Sequence, residues 1–175
     1  MRRDPHDAKD FTSRGAIEER ASQEDPIVMY LIVHESLGMG TGKSCAQCAH
    51  ASQMLTMKYF EMKELSKRLQ REIQPVFQPE PPGYLFDGLR EQYATLARPI
   101  SIMGEWMNSS FRKVVLRASD KEWEKLKEEE KNNNMVMVVD AGLTEIAAGS
   151  ETVIGLWPIR KSQRTKTVQR LQVLK

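Results

Sequence analysis

The chain has 175 residues, 40% of them hydrophobic, enough for one packed domain and too few for a second independent core. Its 26 basic and 24 acidic residues leave a formal charge of +2, so any nucleic-acid role needs a local patch and cannot come from bulk charge. There is no run of about 18 apolar residues, and the opening MRRDPHDAKDFTSR is polar and contains acids, which speaks against a signal, transit or membrane segment and for a soluble, cytoplasmic protein.

Residues 1–25 mix Arg, Asp, Glu, Ser and Lys without periodicity and are predicted to form a flexible extension, with a single domain over 26–175. Ile27 to Val33 (IVMYLIV) is short, continuously apolar and partly β-branched, which predicts a central strand buried on both faces. A loop with Gly38, Gly40 and Gly42 follows, then helical spacing from Lys43 to about Lys67. Four prolines and a glycine in 74–83 exclude a helix or central strand there.

A second helix is predicted over Leu85–Leu96 and a strand over Phe111–Arg117. Ser119 and Asp120 can cap a charged helix from Lys121 to Lys131, anchored by Trp123 and Leu126. Met135–Val139 and Glu151–Leu156 read as two more strands, and Ser162–Leu171 as a last helix. The order predicts an α/β fold with a small mixed sheet covered by helices on both faces. In the C-terminal stretch, Arg160, Lys161, Arg164, Lys166, Arg170 and Lys175 occur without an acid among them, either as a solvated tail or as a phosphate-contacting surface.

Ligands of α/β sheets gather outside the carboxyl ends of strands, which singles out the loop after Val33 and the loop opening at Asp140. At 100° per residue from Lys43, Gln47 falls at about 40° and His50 at about 340°, whereas Cys45, Cys48 and Ser52 fall on the far side. Lys43, Gln47 and His50 thus share a polar stripe at a helix N-terminus, suited to an anion or a developing oxyanion, unless it is only a solvated face. Cys45 and Cys48 form a C-x-x-C close to His50 but with no second pair of cysteines; two small buried helix residues and no metal are expected. GMGTGKS invites comparison with the P-loop, with Asp140 as the metal-binding acid. Yet the P-loop spacing requires glycine where Leu37 stands.

LGMGTGKSCAQCAHA (Leu37–Ala51) resembles the loop and first helix of the type 2 peptidyl-tRNA hydrolases, with G-K, A-Q-C and H-A at the same relative positions. VDAGLTEIAAGSETVIGLWP (Val139–Pro158) is similar to that family's D-A-G-x-T, G-S-x-T-V and terminal Pro pattern, and Trp106 with Lys113 in KVVLRA resembles its approach to the second strand. The resemblance implies a four-stranded mixed sheet, usually a homodimer, that hydrolyses the ester between peptide and tRNA without cofactor or metal. Carried over residue by residue, Lys43, His50, Asp140 and Thr144 fall in the catalytic set. Gln47, Gly42, Lys113, Gly142, Ser150 and Thr152 bind substrate, and Gly149 helps to shape the facing loop.

Lys43 is expected at the oxyanion or terminal phosphate, Asp140 at the attacking water and His50 in hydrogen bonding or proton transfer. The sequence departs from the family's pattern at Ser36, Thr41, Glu145, Ala148 and Trp157, of which Trp157 can fill the cleft or stack on the terminal adenine. An inserted segment near 60–100 can cover the site, form a dimer contact or bind a partner. Two alternatives stand beside peptidyl-tRNA hydrolysis: a non-catalytic RNA- or protein-binding member of the same fold, and a P-loop-like nucleotidase.

Overall fold

The structure is a computed structural model that describes residues 25–73, 83–109, 111–131 and 135–175. The expected N-terminal extension, apart from Asp25, and the proline-rich stretch 74–82 lie outside the described residues.

Strand β1 (Ile27–His34) is the axis of the sheet, and every side chain from Ile27 to Val33 is buried. Ile27, Met29, Leu31 and Val33 pack into one apolar cluster, while Val28, Tyr30 and Ile32 pack into a second on the opposite face. That two-sided burial is why the sequence here is a continuous apolar run, each large side chain contributing roughly 1.5–3 kcal/mol. A 3-10 turn, Glu35–Leu37, then leads to helix α1 (Thr41–Ile73).

Helix α2 (Gly83–Ser109) packs on α1, and strand β2 (Lys113–Ala118) runs parallel to β1. Helix α3 (Asp120–Glu130) starts at Ser119, whose N–H and Oγ both donate to Glu122 Oε2 at 2.9 and 2.7 Å. Strands β3 (Val136–Val139) and β4 (Glu151–Gly155) pair antiparallel, and β4 pairs antiparallel with β1, so β3 points the same way as β1. The chain closes with β5 (Ile159–Arg160), a 3-10 turn, α4 (Lys166–Arg170) and β6 (Gln172–Val173). The strand order is β3-β4-β1-β2-β6, with β5 pairing with β1. The cluster beneath α1 and α2 contains Leu55, Met103 and Trp106, and the cluster beneath α3 and α4 contains Trp123, Leu126 and Val168.

Several expectations need correction. The sheet has six strands, not four, because β5 and β6 are two-residue pieces too short to leave a period in the sequence. β5 continues the line of β4 along β1 after a break at Trp157–Pro158, where proline has no N–H for the ladder. Helix α1 continues past Lys67 because Leu69 is buried, and α2 runs through Pro99 because Met103 and Trp106 beyond it are core residues. Packing therefore outweighs the local cost of proline, about 3 kcal/mol in a helix interior. The last helix is only Lys166–Arg170, and β2 begins at Lys113 because Phe111 sits at φ 48°.

Candidate active site

Because β1 and β3 point the same way, their carboxyl ends emerge at one pole of the sheet, where α1 begins and the loop from Asp140 to Ser150 turns. There Lys43, Gln47, His50, Asp140 and Thr144 line a single cleft of about 840 Å³.

Helix phase explains how α1 serves this cleft. Its buried residues Ser44, Cys48, Ala51 and Leu55 cluster near about 100° on the wheel, whereas Lys43 and His50 fall near 0°. Gln47, at about 40°, belongs to both faces and is buried at the back of the cleft. Cys45, at about 200°, is exposed while Cys48 is buried, which corrects the expectation that both would be covered. Burial pushes the Cys48 thiol up to about 11, leaving it in the thiol form near neutrality. Among the described residues, no three or more His, Cys, Asp or Glu side chains are grouped so as to hold a metal ion.

The hydrogen bonds form one chain through the cleft. Lys43 Nζ donates to Asp140 Oδ1 at 2.6 Å, to Oδ2 at 2.9 Å and to Thr144 Oγ1 at 2.8 Å, which matches the three protons of an ammonium. Gln47 Nε2 donates to Asp140 Oδ1 at 3.0 Å. The Thr152 hydroxyl, fully buried, lies 3.0 Å from both Gln47 Oε1 and Val138 O and shares its single proton between them. The Gln47 amide is thereby oriented, with NH₂ toward Asp140 and oxygen toward Thr152. Asp140 also accepts from its own loop, through Gly142 N at 3.2 Å.

Lys43 and Asp140 are largely withdrawn from solvent, with side chains 11% and 7% exposed. The hydrogen bond from Lys43 is the main cause holding the Asp140 carboxyl below its usual range, helped by the Gly142 amide, the Lys43 charge and Gln47 against partial desolvation. A carboxylate so held binds a proton weakly and orients a donor well.

Backbone shape keeps the loop in register. Gly142 has φ +77°, and a Cβ there would come within 2.5 Å of Ala148 N. Gly149 has φ +83°, and its N–H returns to Asp140 O at 2.8 Å. Asp140 N in turn donates to Ser150 O at 2.9 Å, while the Ser150 hydroxyl donates to Ala147 O within the loop.

Other expected residues fall elsewhere. Lys113 opens β2 at the opposite pole, its ammonium 4.8 Å from the Trp106 ring, and lines a separate hollow with Leu31, Cys48 and Ser52. Gly42 is exposed in the first turn of α1 and approaches nothing. Trp157 neither fills the cleft nor faces it: it is buried and its indole N–H donates to Pro99 O at 2.9 Å. Glu145 ties the two site loops together, accepting from Gly40 N at 2.8 Å. Met54 and Met57 also stand in the cleft wall, and their helical phases, about 20° and 320°, match the Lys43 stripe and were the signal that could have found them.

A family model described as Peptidyl-tRNA hydrolase PTH2 matches residues 27–174. Peptidyl-tRNA hydrolase 2 of Saccharomyces cerevisiae is 31% identical over 137 residues, covering 77% of this chain and 51% of that protein. The chain thus matches about half the length of this curated relative. Matched from the start of β1 to the residue before its last, the chain belongs to the Peptidyl-tRNA hydrolase PTH2 family.

Proposed function

We propose that this protein hydrolyses the ester between a peptide's C-terminal carbonyl and the 3′ ribose of tRNA, releasing peptide and free tRNA. The observation that carries this reading is the Lys43–Asp140–Thr144 cluster at the head of α1, inside a cleft of a chain that belongs to the PTH2 family.

Ester hydrolysis needs a held water, a proton acceptor and positive charge where the carbonyl oxygen becomes anionic. Lys43 supplies the charge, and its bonds to Asp140 and Thr144 fix the ammonium before substrate arrives. Asp140, held below the ordinary carboxylate range, is a weak proton acceptor and suits the orientation of water and of Lys43. His50, exposed on the same cleft, takes the proton-transfer role, passing the proton from attacking water to the departing 3′ oxygen. Gln47 and Thr152 are positioning residues, because they act through the Asp140 carboxylate.

The tRNA side of the reading rests on the C-terminal cations, of which Lys166 and Arg170 are exposed on α4. A homodimer, a cytoplasmic location and a single hydrolase domain over 26–175 follow from the family resemblance and belong to the same proposal. No described helix is long and apolar enough to cross a membrane.

A non-catalytic binding member of the family makes a different prediction, binding without turnover. The test is release of N-blocked amino acid or peptide from tRNA by the purified chain. Turnover with free tRNA as product supports the reading, and tight binding without ester cleavage sinks it. A P-loop-like nucleotidase has less support, since Leu37 stands where the phosphate-wrapping loop needs glycine and the chain belongs to the PTH2 family.

A further inference from the structure

The cleft has two unlike halves. At the head of α1 it is charged and hydrogen-bonded. Three to four turns along the same helix face, Met54 and Met57 line it together with Val138 of β3, and Leu143 closes the end beside Thr144. Three of these side chains are unusually open for their type: Met54 is 39% exposed, Met57 57% and Leu143 86%. Single exposed apolar residues are ordinary, but here they converge on one groove that is continuous with Lys43 and Asp140. The groove lies open because β3 is the outer strand of the sheet and nothing described covers its far edge.

Resting on the hydrolase reading above, we propose that this apolar half receives the side chain of the amino acid esterified to tRNA, and that it confers a preference for large apolar residues at that position. Charge decides between the two sides of the ester. Among the described residues lining the cleft, Lys43 is the only Lys or Arg, its ammonium is directed at Asp140 and Thr144, and Asp140 adds negative charge. A phosphodiester chain finds no counter-charge beyond that point, whereas the exposed cations Lys166 and Arg170 lie on α4, on the other face of the sheet. The nucleic acid therefore approaches from outside the groove, and the acyl group is the part of the substrate left to enter it. Methionine suits such a wall, because an unbranched thioether adapts to side chains of different shape.

The test compares kcat/KM for N-acetyl-leucyl, N-acetyl-methionyl, N-acetyl-glycyl and N-acetyl-aspartyl esters of one tRNA, each rate divided by that ester's alkaline hydrolysis rate. The large apolar esters are expected to lead by about 10-fold or more, the range that hydrophobic pockets reach between related side chains. Met57→Asp is expected to level that ratio. A ratio taken within one protein does not depend on how much of a variant is folded, and Leu143→Asp, at a highly exposed position, provides a second probe with little demand on the core.

Turnover without preference among the four esters overturns the groove assignment and leaves the hydrolase reading standing. No turnover of any ester overturns the hydrolase reading and the groove assignment with it. A preference that follows replacement of the 3′-terminal adenosine and ignores the amino acid gives the groove to a nucleobase. If Met57→Asp converts a dimer to a monomer in sedimentation while the acyl preference persists, a second copy of the chain covers this face and the proposal is wrong.

Discussion

Lys43 and Asp140 stand 97 positions apart in the chain, yet the lysine ammonium reaches Oδ1 of the aspartate at 2.6 Å and Oδ2 at 2.9 Å. The pair forms because β4 lies between β1 and β3 and runs antiparallel to both, bringing the carboxyl ends of β1 and β3 to one pole. Each member satisfies the other at the back of a cleft where little solvent reaches.

Asp140→Asn keeps the side chain's size and the capacity to accept from Gly142 N, while removing the charge that holds Lys43. Far-UV circular dichroism should be unchanged. Ester release should fall about 10²- to 10³-fold, the usual cost of losing one group that holds transition-state charge in place. Near-normal turnover by folded protein would sink the mechanism while leaving the fold untouched.

Lys43→Ala should lose activity comparably, with part of the loss in KM if the cation also meets the terminal phosphate. Combined with Asp140→Asn, the losses should not multiply, because both residues serve one charge arrangement. A double variant worse than the poorer single by the full factor of the other would place the two in separate roles.

Stability should respond to pH through Asp140 in one direction only. Its carboxyl is lowered in the folded protein, chiefly by the hydrogen bond from Lys43. Its contribution is therefore fully present above the unfolded value of about 3.9 and is lost as pH falls through the lower folded value. The Tm gap between wild type and Asp140→Asn should stay constant from about pH 7 to about pH 5 and narrow below about pH 4. By the same sign, an acid limb of the rate profile near neutrality does not belong to Asp140.

Gly142→Ala and Gly42→Ala should behave oppositely. At Gly142 the φ of +77° and the 2.5 Å approach to Ala148 N predict a loss of about 1–3 kcal/mol in urea denaturation, with kcat falling as Thr144 shifts. At Gly42, in the first turn of α1 with open space around it, stability should hold or rise by up to about 1 kcal/mol. Activity lost in a stable Gly42→Ala protein would show that substrate approaches the backbone there.

Neutralising Arg164, Lys166 and Arg170 together should raise KM and flatten the salt dependence of kcat/KM, since phosphate contacts position the substrate. Arg164 is partly engaged, donating to Lys161 O and lying 5.8 Å from the Tyr30 ring, so Lys166 and Arg170 should carry more of the effect. Collapse of kcat with salt dependence unchanged would mean that this segment supports the fold and not the RNA.

Local pattern made much of this molecule legible. A buried strand must be apolar without interruption, so β1 could be read from IVMYLIV, and Ser119 and Trp123 marked α3 by capping and anchoring. Helical phase alone put Lys43, Gln47 and His50 on one stripe, because the geometry of an α-helix is the same wherever it occurs. The carboxyl end of β3 pointed to the loop at Asp140, and the family's blocks supplied Thr144 and Thr152, for which spacing had no account of its own.

Contacts between distant segments were decided by the tertiary structure. Strand order brought Asp140 to Lys43, and the same order carried Lys113 to the opposite pole, although both had been read as site residues. Pro99 sits inside α2 because core packing at Met103 and Trp106 outweighs a local penalty, and Trp157 turns into the interior because Pro99 O accepts its N–H. Cys45 and Cys48 share a motif but not an environment, since 300° of helix rotation puts one on the core face and the other beyond it. The sequence by itself determines which residues are suited to strand, helix and charge; which of them touch is set by burial and pairing that no local window contains.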